Sequence, residues 1–116
     1  MEKEKYHSTL EAYPFRLTDE QVTEQVNKLL AEKSEQNRTK EVYSNIYGCI
    51  DLTTLNSTDT REGVWQFTEK VNSFDGTRPD IPNVAAICVY PNFARTVKEA
   101  LTADVQIAAV SAGFPS

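Results

Sequence analysis

A chain of 116 residues, 40% hydrophobic and 25% charged, has room for one small domain and is too apolar to be disordered throughout. Its net charge of −5 is spread along the length, with seven Lys or Arg against nine Asp or Glu in residues 1–41 and five against eight in residues 42–116. No basic stripe is available to meet a phosphate backbone, so nucleic acid is not an expected partner.

The N-terminus, Met1-Glu2-Lys3-Glu4-Lys5, is charged and leads into no apolar stretch, which predicts a cytoplasmic protein without a secretory signal or a membrane span. In that setting the N-x-[ST] sequons at Asn37 and Asn56 are chance matches. Cys49 and Cys88 both sit in apolar runs, as expected of two buried, reduced thiols. The single histidine, His7, lies in the polar leader, and no metal-ligand set can be assembled around it.

In chain order, residues 1–17 read as polar and irregular, with Pro14 arguing against a long helix. Thr18 reads as an N-cap, with Gln21 placed to complete a capping box. Val22, Val26, Leu29 and Leu30 then form one stripe of an amphipathic helix that fades over residues 32–37. A short helix is predicted from about Lys40 to Tyr47, and Gly48-Cys49-Ile50-Asp51-Leu52 reads as a first strand.

Asn56-Ser57-Thr58-Asp59-Thr60 is a turn and cap cluster, after which Val64, Phe67, Val71 and Phe74 keep helical spacing with Trp65 beside them. Residues 75–83 are loop by composition. Val84-Ala85-Ala86-Ile87-Cys88-Val89 is an unbroken apolar run, as a parallel strand covered on both faces requires. Pro91 suits the first turn of a helix whose buried stripe is Phe93, Val97, Ala100 and Leu101. Residues 105–110 read as a third strand, and Gly113-Phe114-Pro115 opens a loop.

Alternating strands and helices imply right-handed βαβ units and a parallel sheet. Three open strands leave bare edges, one of them the apolar run Val105 to Val110. Either something outside these residues completes the sheet, or the sequence is a fragment. Ligands of such folds sit at the carboxyl ends of the strands. The residues to weigh are therefore Asp51, Thr53, Thr54 and Asn56 after strand one, Cys88, Tyr90 and Asn92 after strand two, and Ser111 and Ser116 after strand three.

Three blocks, Asp51-Leu52-Thr53-Thr54-Leu55-Asn56, Ala85-Ala86-Ile87-Cys88-Val89-Tyr90-Pro91, and Val105 to Val110 with Gly113-Phe114-Pro115, together resemble the opening of the deoxyribose-phosphate aldolase family in order and spacing. The resemblance covers about Tyr47 to Ser116. It implies the first three strands of a parallel (β/α)8 TIM barrel over residues 41–116, truncated after strand three and preceded by an N-terminal leader and helices in residues 1–40. Such a barrel takes about 250 residues.

The implied activity is that of a class I aldolase, reversibly cleaving 2-deoxyribose 5-phosphate to glyceraldehyde 3-phosphate and acetaldehyde through a lysine Schiff base. It needs no cofactor and no metal, and its partners are a sugar phosphate and an aldehyde. By position Asp51 and Thr53 resemble pocket-lining residues of strand one, and Cys88 a pocket-side cysteine of strand two. The family's Schiff-base lysine, its partner lysine, its proton-relay aspartate and its phosphate loops belong to later strands. Lys70 and Lys98 fall on predicted helices in water, without the desolvation such a lysine needs. Alone, these residues are expected to be inactive.

Plainer readings stand beside these. Asp51 can close its strand by accepting hydrogen bonds from the turn after it. Thr53 and Thr54 can be turn hydroxyls, and Cys88 a small core side chain with no histidine to activate it. Tyr90 can cover the strand ends or cap the next helix. A non-catalytic assembly module, self-associating through unpaired sheet edges, is the alternative function. A compact small-molecule binder is disfavoured, since Gly48, Gly63, Gly76 and Gly113 are scattered and form no phosphate loop.

Overall fold

Threonine capping decides where three of the helices begin. In the computed structural model, which describes residues 2–13 and 16–112, Thr18 starts helix α2 (Asp19–Lys33) with the full capping box, its hydroxyl accepting from Gln21 N while the Gln21 side chain accepts from Thr18 N. Thr39 does the same for α3 (Lys40–Tyr47) by accepting from Val42 N, and Thr60 for α4 (Arg61–Phe74) by accepting from Gly63 N. Pro91 opens a 3-10 turn (Pro91–Phe93) that runs into α5 (Ala94–Ala100).

The leader departs from expectation, because Glu2–Ala12 is a helix, α1. Its Glu, Lys, Leu and Ala residues are good helix formers, and the Ser8 and Thr9 hydroxyls fold back onto the Lys5 carbonyl instead of breaking the turn. Pro14, like Gly113-Phe114-Pro115 and Ser116, lies outside the described residues.

Two compact units divide the chain, Met1–Arg38 and Thr39–Ser116. The first holds α1 and α2. The stripe Val22, Val26, Leu29 and Leu30 is helical as its spacing predicts, yet all four side chains are exposed. Spacing specifies a face, but a face is buried only where something packs on it.

The second unit is α/β, with strands β1 (Asp51–Thr54), β2 (Ala86–Val89) and β3 (Gln106–Ala109) in one parallel sheet of order β1-β2-β3. The stretches read as the second and third strands contain β2 and β3, whereas the first, residues 48–52, overlaps β1 only at Asp51 and Leu52, because the chain is still turning after α3 through Cys49 and Ile50. Cys49 is consequently exposed, against the expectation of burial, while Cys88 is buried.

Leu52, Ile87 and Val89 turn one sheet face toward α4 and α5, where Val64, Val71 and Val97 complete the core with Val84 and Val105. Phe67, Phe93 and Leu101 pack around it as their spacing predicts. Thr68 is also fully buried, which its polarity concealed, and it satisfies its hydroxyl on the Val64 carbonyl at 2.9 Å. No described helix is long and apolar enough to cross a membrane.

Candidate functional site

Parallel pairing aligns residues of like parity across the sheet. Asp51 stands beside Ala86, and Ala86 beside Gln106; one step further along, Thr53 stands beside Cys88, and Cys88 beside Ala108. Since Leu52, Ile87 and Val89 take the helix-covered face, these six residues take the other one. Asp51, Thr53 and Cys88, drawn from two stretches of sequence 35 residues apart, therefore share one face, with Thr53 and Cys88 side by side. Asp51 and Thr53 are exposed and Cys88 is nearly enclosed between its strand neighbours.

The Asp51 carboxylate accepts no hydrogen bond among the described residues; only its backbone carbonyl is engaged, by the Thr53 hydroxyl at 3.0 Å. It does not close the strand onto the following turn. That work belongs to Asp59, whose half-buried carboxylate accepts from the Thr54 hydroxyl at 2.9 Å and from Asn56 N at 3.0 Å. The Asn56 side-chain amide adds bonds to Thr54 Oγ1 and Asp59 Oδ1. Thr54 and Asn56 are thus turn-forming, and Thr53 and Asp51 are left facing outward. Asp59 was visible in the sequence only as part of a polar cluster, where several residues had equal title to the role.

Tyr90 is the N-cap residue of the turn that follows it, its carbonyl accepting from Phe93 N at 2.9 Å, but its side chain makes no capping bond. Its hydroxyl donates to the Leu55 carbonyl at 3.0 Å, linking the end of β2 to the loop after β1. Asn92 lines a shallow cleft of about 340 Å3 with Arg61, Phe93, Arg95, Thr96 and Glu99. Because α4 and α5 each follow a strand, this cleft opens at the carboxyl end of the sheet but on its helix side. Glu99 fills it with charge pairing, accepting from Arg61 at 2.9 Å and Arg95 at 2.8 Å. Ser111 is exposed, beyond β3.

The chemistry within reach of the open face is limited by what stands there: an exposed carboxylate able to accept a hydroxyl proton or hydrogen bond, a threonine hydroxyl, and a thiol with no imidazole beside it. Every lysine whose side chain is described is exposed, Lys70 and Lys98 on α4 and α5 among them, and none belongs to a strand. No cluster of three or more His, Cys, Asp or Glu able to hold a metal forms among the described residues. No protein-family model matches the sequence.

Proposed function

We propose that this chain supplies the first three strands of a (β/α)8 barrel of the deoxyribose-phosphate aldolase type, acting on 2-deoxyribose 5-phosphate by Schiff-base chemistry. One observation supports the reading: by register Asp51, Thr53 and Cys88 share the sheet face opposite the one packed on α4 and α5. In a barrel that face is the interior, and the strand ends beyond it are where ligands sit. Asp51, with its carboxylate unengaged, accepts a substrate hydroxyl; Thr53 positions a second polar group; Cys88 fills space beside the reacting aldehyde and takes no chemical step. The lysine that forms the imine comes from elsewhere in the barrel, since none of the three strands carries a lysine.

Treating the native protein, purified from its source cells, with acetaldehyde and borohydride tests the proposal. An ethyl group fixed on one lysine supports it. An unmodified protein that also fails to release acetaldehyde from 2-deoxyribose 5-phosphate removes it. A second reading draws on the sheet edges, since β1 and β3 each pair on one side only among the described residues. If the chain is an assembly module, sedimentation shows oligomers that grow with concentration, and a monomer throughout rules the module out.

A further inference from the structure

The loop from Leu55 to Thr60 joins the tip of β1 to α4 and borders the open face. From within, it is shaped by Asp59, which gathers Thr54 and Asn56. From outside, one side chain holds it at the β2 end: Tyr90, whose hydroxyl donates to the Leu55 carbonyl. Tyr90 comes directly after Val89, the β2 residue paired with Thr54, so its ring lies across the gap where the two strands stop pairing. Leu55 follows the last paired residue of β1, and its carbonyl has no strand partner to take its place. A phenol ring has only two side-chain torsions, which makes this a short and stiff tether.

We infer that Tyr90 is a positioning residue for the Asp51–Thr53–Cys88 face. By holding Leu55 it fixes where β1 ends, and with it the height of Thr53 beside Cys88 and the rim of loop above them. The role at a ligand face rests on the aldolase reading; the hold on the loop does not.

Tyr90→Phe removes the hydroxyl and keeps the ring. Amide hydrogen exchange in the native protein, purified as for the trapping experiment, is the measurement, paired with NMR shifts on adding 2-deoxyribose 5-phosphate. In the variant the Asn56 and Asp59 amides, both hydrogen-bonded within the loop, lose about tenfold in protection, as expected for one net hydrogen bond. Core amides such as those of Val71 and Ile87 keep theirs, and the sugar phosphate shifts Thr53 and Thr54 less than in the parent. Unchanged protection at Asn56 and Asp59 overturns the inference. So does an equal loss in loop and core, which marks a general stabiliser. If the loop loosens while the sugar phosphate perturbs neither protein, the hold on the loop stands and the aldolase reading is what fails.

Discussion

Glu99 accepts hydrogen bonds from two guanidinium groups, and its acidity follows from them. The bond from Arg95 holds its carboxyl below the ordinary value of 4.5; slight desolvation opposes this, and the charges of Arg95 and Arg61 add to the lowering. A carboxyl depressed in the folded state stabilises the fold above pH 4.5 and loses that contribution as the pH falls through its lower folded-state value. In an NMR titration Arg95→Ala should bring the Glu99 midpoint back up, and Arg61→Ala should do so less. Gly48 illustrates a steric constraint instead. A Cβ built there would stand 2.8 Å from Pro82 Cγ, and the proline ring has little room to yield. Gly48→Ala should cost about 1–3 kcal/mol in urea unfolding, the usual penalty of overpacking. If the proposed aldolase activity is present and the Asp51 carboxylate handles a substrate proton, Asp51→Asn in the native protein should lower aldol cleavage by about a hundredfold. An unchanged rate would leave Asp51 without that role.

Between elements, Asn72 joins three segments at once. Asn72 on α4 donates to the Ala100 carbonyl at 2.8 Å and accepts from Thr102 N and Ala103 N at 2.9 and 3.2 Å. It thereby ties α4 to the end of α5 and to the approach to β3. Asn72→Ala strands the part-buried Ala100 carbonyl and Ala103 N and should cost about 1–3 kcal/mol, read from the denaturant midpoint at unchanged slope. Nothing in the sequence marked Asn72, because its partners lie 28 to 31 residues away and bond through their backbones. What was legible was local: the Thr18–Gln21 box, the turn at Pro91 that leads into α5, and the apolar runs that hold β2 and β3. The stripe of α4 also declared itself, since Val64, Phe67 and Val71 repeat at helical spacing against the core. Helix α1 was concealed by polarity, having no buried face to advertise it. The exposure of Val22, Val26, Leu29 and Leu30 could not be read from periodicity, which is the same for a buried stripe and a bare one.

For the molecule as a whole, the α/β character and parallel order followed from alternating elements, but the composition of the open face did not. It depends on register, and a slip of one residue would exchange Asp51 and Thr53 for Leu52 and Thr54. The resemblance to an aldolase family singled out Asp51, Thr53 and Cys88, which the register sets on one face of the sheet. It offered no means of telling Asp51, which the fold leaves unengaged, from Asp59, which the fold consumes.

The unequal exposure of the two cysteines gives the chain an internal clock. Cys49 is open to solvent, whereas Cys88, at 8% exposure, lies at the centre of the sheet between β1 and β3. A thiol-specific alkylating reagent should therefore modify the protein in two phases, the fast one at Cys49 and the slow one at Cys88, whose neighbours on the sheet nearly enclose it. The ratio of the two rates measures how strongly the fold shields Cys88, without a probe being added to the sequence.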